Sequence, residues 1–208
     1  MGAQNNIDTI ILRAVGEKGF FIEAGGSDPH DQSNTALLES KGWTGLVVEP
    51  NPEFNQKYRE YRPNTIVENY ALVDFNWDKD FILADCSRYM TGGVLNIHGS
   101  SDWNPQEYPA TTLDRLLKKH NITEVHFFSL DVEGYETQVL NGINFSETLF
   151  HILVVENHAS LEGINPNSVF ESDFAFLETF GFEKKLTIGQ HEFYVNQKSK
   201  YYNNFVSL

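Results

Sequence analysis

The run Phe20-Phe21-Ile22-Glu23-Ala24-Gly25-Gly26-Ser27-Asp28-Pro29 constrains this chain more than any other stretch. A short apolar segment ends on a carboxylate and breaks at once into glycines. Glycine at a strand end lets the backbone approach a ligand closely. A second apolar run, Gly45-Leu46-Val47-Val48, ends on Glu49, and an acid closing the second strand after a glycine turn is placed to accept both hydroxyls of a ribose. Together these features predict a nucleoside-containing cofactor. The turn is not the G-x-G-x-x-G of dinucleotide folds, whose glycines let a pyrophosphate sit on a helix N-terminus. It carries Glu23 and Asp28 instead, which repel a pyrophosphate and favour a cationic ligand, such as the sulfonium and amino group of S-adenosylmethionine (SAM).

Helical and extended patterns alternate along the rest of the chain with no internal repeat. Ile7, Ile10, Ile11 and Ala14 share one face of an N-terminal helix over 7–15, within a leading segment 1–18. Strands are predicted at 20–24, 46–49, 65–69, 125–130 and 152–155, with an extra one at 81–84. Helices are predicted at 36–40 behind Ser33-Asn34-Thr35, at 52–61 behind Asn51, at 113–119 behind Thr111-Thr112, at 134–140 and at 169–179. Strand-helix alternation implies an α/β, Rossmann-like fold, a mostly parallel sheet with helices on both faces. Segments 182–187 and 192–195 flank Ile188-Gly189-Gln190 and predict an antiparallel last strand. At 208 residues the chain 1–208 reads as a single domain.

The formal net charge of −14 argues against nucleic acid as a partner, because phosphate binding needs a basic face. Cys86 is the one cysteine, so no internal disulfide framework is expected. The start of the chain has no signal-peptide pattern and no apolar run reaches membrane-spanning length, so a cytoplasmic location without membrane insertion is expected. Residues 86–109 show no clear periodicity and are rich in glycine, serine and aromatics. They read as a lid loop over an acceptor, with His98, Trp103 and Tyr108 contacting substrate. Aromatic planes beside hydrogen-bonding groups suit a carbohydrate, whose C–H faces are apolar and whose rims are polar.

A second cluster, Ser129-Leu130-Asp131-Val132-Glu133-Gly134-Tyr135-Glu136, sits at the end of the fourth strand, and Glu156-Asn157-His158 closes the fifth. Ligands of open α/β sheets bind outside these strand ends. Asp131, Glu133 and His158 are the candidate proton acceptors. Asp131, Glu156 and Asn157 offer hard oxygen ligands for a divalent ion such as Mg²⁺ or Mn²⁺.

Assembled, these pieces resemble the FkbM-like family of class I SAM-dependent methyltransferases. The matching segments are Phe21-Ile22-Glu23-Ala24-Gly25 with Asp28 and Ser33-Asn34-Thr35, then Gly42-Trp43-Thr44-Gly45-Leu46-Val47-Val48-Glu49-Pro50-Asn51-Pro52. Asn69-Tyr70-Ala71-Leu72, Thr111-Thr112-Leu113-Asp114 and Phe128 to Glu136 complete the pattern. The resemblance implies methyl transfer from SAM to oxygen, with sugar hydroxyls among the acceptors. Residue by residue, it implies that Glu23 and Gly25, with Asp28, Ser33 and Asn34 in the same motif, border the methionine end of SAM. Glu49 takes the ribose, and Asn69, Ala71 and Leu72 edge the adenine. Two alternatives stand beside it: an NAD-dependent sugar oxidoreductase, which would share the sheet and Glu49, and a non-catalytic module that keeps the fold for protein contacts.

Overall fold

The computed structural model describes residues 3–87, 92–95, 99–158 and 174–205. In chain order the strands are β1 (Phe20–Ala24), β2 (Thr44–Val48), β3 (Thr65–Glu68), β4 (Ala71–Leu72), β5 (Phe81–Ala84), β6 (Gln106–Thr111), β7 (Glu124–Leu130), β8 (Leu149–Glu156), β9 (Phe182–Ile188) and β10 (His191–Asn196). The α-helices are α1 (Ile7–Val15), α2 (Ala36–Ser40), α3 (Pro52–Tyr61), α4 (Leu113–Lys119) and α5 (Glu136–Leu140).

A seven-stranded sheet runs in the order β3-β2-β1-β7-β8-β10-β9. Its first five strands are parallel, and β10 is antiparallel to both β8 and β9. The order reverses between β1 and β7, and that reversal is where an open α/β sheet leaves a crevice at its carboxyl edge. The sequence dictates this layering. In β1, β7 and β8 both faces of the strand are apolar, so alternate side chains feed two separate cores. Ile22, Phe128, Leu130 and Leu153 pack with Leu113, Leu116 and Val139 from α4 and α5. Phe21, Val47, Phe127 and Ile152 pack with Ile7, Ile11 and Tyr58 from α1 and α3. Full burial of a single such side chain contributes about 1.5–3 kcal/mol, which makes a shift of register in these strands prohibitive.

Helix starts follow local chemistry. Asn51 accepts from the Glu53 N–H at 2.9 Å and Pro52 occupies the first turn of α3. Thr112 Oγ1 accepts from Arg115 N at 3.3 Å to begin α4.

Two segments differ from the sequence-based expectation. The end of the 86–109 stretch is not loop: Gln106–Thr111 forms β6, which pairs antiparallel with β5 and parallel with β4 in a small second sheet of order β4-β6-β5. Of the helix expected at 169–179, the part before residue 174 lies outside the described residues. The remainder is a 3-10 turn at Ala175–Phe180, ended by Gly181 in the left-handed region at φ 85°. No helix among the described residues is long and apolar enough to cross a membrane.

Candidate active site

A cleft of about 1030 Å³, its open mouth included, opens at the carboxyl edge of β1, β2 and β7. The glycine turn shapes its floor. Gly25 has φ +78°, and a Cβ there would run into the main-chain carbonyl of Asp131. The Asp131 N–H itself donates to Ala24 O at 3.2 Å, so the ends of β1 and β7 are locked together and only glycine fits between them.

Glu23 lines the cleft, but its charge is compensated. Its carboxylate accepts from Ser33 Oγ (3.0 Å), Asn34 N (2.8 Å) and Thr35 Oγ1 (2.6 Å). Arg62, 3% exposed on its side chain, lies 3.5 Å away and also pairs with Glu39 at 2.5 Å. The guanidinium further donates to Ser33 Oγ and Thr35 Oγ1. Asp28 is not on the cleft wall. It accepts from His30 N and Asp31 N and pairs with Lys57 at 3.2 Å. Burial pushes its pKa up, but these partners outweigh it and hold the carboxyl below the usual range. Asp28, off the wall and paired with Lys57, is not placed to serve a cationic ligand there, which corrects the expectation from sequence, whereas Glu23 stays on the wall and shares the single cation Arg62 with Glu39.

Glu49 is buried on the cleft wall, with Oε2 accepting from Ser27 N at 2.9 Å and Oε1 from Asn51 N at 2.7 Å. Burial raises its pKa to about 7, against the pull of those two N–H groups, with Glu23 pushing it further up. Each oxygen keeps a second lone pair for a ligand hydroxyl. Ala71 and Leu72 line the opposite wall, whereas Asn69 and Ser33 do not reach it. The Asn69 amide instead donates to Glu49 O and Pro50 O at 2.9 and 2.6 Å, holding the β2–α3 turn. Asn34 lines the cleft. Its Nδ2 donates to Ser129 Oγ at 3.0 Å, while its buried Oδ1, like Ser27 Oγ, has no hydrogen-bond partner.

At the other end of the cleft stand Asp131 and Glu133. Glu133 adopts φ 55°, in the left-handed region, and its carboxylate lies 3.5 Å from His158 Nε2. The same nitrogen is 3.3 Å from Glu156. Burial alone would lower the His158 pKa, but Glu133, Glu136 and Asp131 raise it overall, which favours the charged ring between its acids. Glu156, buried beside Asp131 and Glu133, has a carboxyl pKa well above the usual carboxylate range and keeps its proton. Glu136, prominent in the sequence motif but not read as functional, organises the loop: its Oε1 accepts from Val132 N and Gly134 N at 3.0 and 3.1 Å.

Two triads bring possible metal ligands within 4.8 Å of one another, Asp131 with Glu156 and His191, and Glu133 with Glu156 and His158. The Nδ2 of Asn157, expected as a ligand, donates to Glu192 Oε1 at 3.1 Å. His191 takes that place because β10 sets it directly opposite Glu156. These donors are already committed. Both ring nitrogens of His191 have polar partners, and His158 is held between two acids. The set therefore fits a cation poorly. A third group, Glu124, His126 and His151, sits at the opposite edge of the sheet and ties the starts of β7 and β8 to Ser199.

Two of the three expected acceptor residues are not brought to the cleft. Trp103 and Tyr108 are half-buried but do not line it, and Tyr108 packs in the small sheet with Ile82. His98 lies outside the described residues. Tyr70, Gly92, Gly93, Val94 and Tyr135 line that part of the cleft instead. The Gly92-Gly93 pair was the available signal.

Against this geometry, the family model for the methyltransferase FkbM domain matches residues 14–184, most of the chain. The chain belongs to the FkbM methyltransferase family. A search of curated proteins gave no significant match. Family membership makes this a methyltransferase domain and removes the oxidoreductase reading. The glycine turn, Glu49 and the Asp131-to-Glu136 segment all lie within the matched span of this FkbM-family chain.

Proposed function

We propose that this chain is a SAM-dependent O-methyltransferase that acts on a sugar hydroxyl. The observation that supports it best is a cleft with Glu49 and the Ala71-Leu72 wall at one end and Asp131 with Glu133 at the other. The residues present fit SAM. Gly25 and Gly26 present backbone without side chains on the cleft wall, Glu49 has lone pairs for the ribose hydroxyls, and the unpartnered Asn34 Oδ1 and Ser27 Oγ await polar partners. Bound SAM supplies a sulfonium methyl for in-line displacement. The chain's own part is positioning and proton removal. Val48, Ala71 and Leu72 offer apolar surface to the adenine rings. Asp131 accepts the proton of the attacking hydroxyl, which is too weakly acidic to react unaided. His158 keeps Glu133 compensated and leaves Asp131 as the acid facing the acceptor.

Thermal-shift measurements with SAM, S-adenosylhomocysteine and NAD test the cofactor. Stabilisation by the first two and not the third is expected. A stabilised fold that transfers no label from SAM to any monosaccharide or glycan would favour the non-catalytic reading.

Glu49→Ala is expected to weaken SAM binding by about 1–3 kcal/mol, the range for leaving buried polar partners unpaired. Because hydroxyl donors favour the ionised carboxylate, a bound ribose lowers a pKa that stands at about 7 in the free protein. SAM affinity is thus expected to rise from about pH 6 to about pH 8 with proton release on binding. In Glu49→Gln that pH dependence should vanish. Calorimetry in buffers of different ionisation enthalpy reads both; a flat profile in the unaltered protein removes Glu49 from the ribose site.

The clustering of ligand atoms within 4.8 Å keeps a second reading in view, in which a divalent ion at Asp131, Glu156 and His191 assists the hydroxyl. Activity is expected to survive dialysis against EDTA and to fall in Asp131→Asn. Loss in chelator with recovery on adding Mg²⁺ or Mn²⁺ would establish the ion instead.

A further inference from the structure

Among the described residues the cleft wall is short of positive charge. Glu23, Asp31, Glu49, Asp131 and Glu133 line it, and among the described residues on its wall none is Lys, Arg or His. A ligand that carries an amino-acid carboxylate must then find neutral N–H donors, because an anion taken from water without them is strongly disfavoured. Three side-chain amides reach the wall: Gln4, Gln32 and Asn34. The Asn34 amide nitrogen is engaged by Ser129. Gln4 and Gln32 lie side by side, with Gln4 Nε2 3.4 Å from Gln32 Oε1, and each amide carries two N–H donors.

Gln4 is held in one orientation. His191 Nε2 is 2.7 Å from Gln4 Oε1, and Asn5 Nδ2 is 3.2 Å from His191 Nδ1. The Asn5 amide nitrogen can only donate, so His191 Nδ1 accepts and carries no proton in this arrangement. One tautomer satisfies both contacts: Nδ1 accepts from Asn5 and the Nε2–H donates to Gln4. The Gln4 oxygen thus faces His191 and its NH₂ faces Gln32. A main-chain bridge between Ala3 and Gln32 fastens the segment. Gln4 and His191 both lie outside the matched span 14–184.

We propose that the paired amides of Gln4 and Gln32 receive the carboxylate of the amino-acid end of SAM, with His191 as the positioning residue for Gln4. This rests on the SAM reading above. Two probes separate the possibilities by calorimetry on the whole chain: S-adenosylhomocysteine, which has the amino-acid end, and 5′-methylthioadenosine, which lacks it. Gln4→Ala and Gln32→Ala are expected to weaken S-adenosylhomocysteine binding about 10- to 100-fold, as for a lost hydrogen bond to a charged group. Methylthioadenosine affinity should stay unchanged. Gln4→Glu, which sets an acid against the carboxylate, should weaken the homocysteine probe further still, and His191→Phe should reproduce the probe-selective loss of Gln4→Ala. Gln4→Glu nearly preserves side-chain shape at a partly exposed position, so a folded variant is available, checked by its melting curve. Equal losses for both probes, or none for either, overturn the assignment while the SAM reading stands. An unaltered protein that binds neither probe overturns both.

Discussion

Gly25→Ala is expected to abolish SAM binding and to destabilise the fold by about 3 kcal/mol or more, combining left-handed strain with overpacking. The methyl group has nowhere to go: it would meet the Asp131 carbonyl, and that carbonyl cannot yield while the Asp131 N–H is tied to Ala24. Urea unfolding should show a lower midpoint at unchanged slope, and calorimetry no heat with SAM. A variant with native stability and affinity would mean that β1 and β7 do not abut as described.

Arg62→Ala should be nearly as damaging. The guanidinium is 3% exposed and bonds Glu23, Glu39, Ser33 and Thr35. Removing one partner of a buried ion pair strands the other charge, at a cost of about 3–5 kcal/mol. Arg62→Lys should recover little, since one ammonium cannot span these acceptors. Combining Arg62→Ala with Glu23→Gln should restore part of the loss, because one of the two stranded carboxylates is then gone. Strict additivity of the two single losses in chemical denaturation would argue against the pair.

These two residues show what was legible in the sequence. Gly25 was readable because its demand is local: a strand, a carboxylate and a glycine in succession. The strands, α1 and α3 were readable for the same reason, through apolar periodicity and the Asn51-Pro52 start. What the sequence did not show of Glu23 was its partner Arg62, which arrives from the end of a different helix. His191 was missed because its relevance comes from strand pairing, which places it opposite Glu156. Strand β6 hid behind Pro109 and an exposed, polar start, Gln106-Glu107, which lack the alternation of a half-buried strand. Trp103 and Tyr108 looked like acceptor contacts on composition alone, and composition does not say which way a ring faces.

The two walls of the cleft belong to different sheets. Val48 and Ala24 are laddered into the seven-stranded sheet, while Ala71, Leu72 and Ala84 belong to the three-stranded one. The spacing between the walls is therefore set by side-chain packing, the short link at residues 69–70 and side-chain hydrogen bonds such as those of Asn51 to Cys86 O and of Asn69 to Glu49 O, not by rungs between strands. A nucleoside bound as proposed between Glu49 and Leu72 would straddle a seam. Widening that seam would break no rung of either ladder, only contacts such as the Asn51–Cys86 hydrogen bond, so entry and exit would draw on different interactions from those that hold the two sheets.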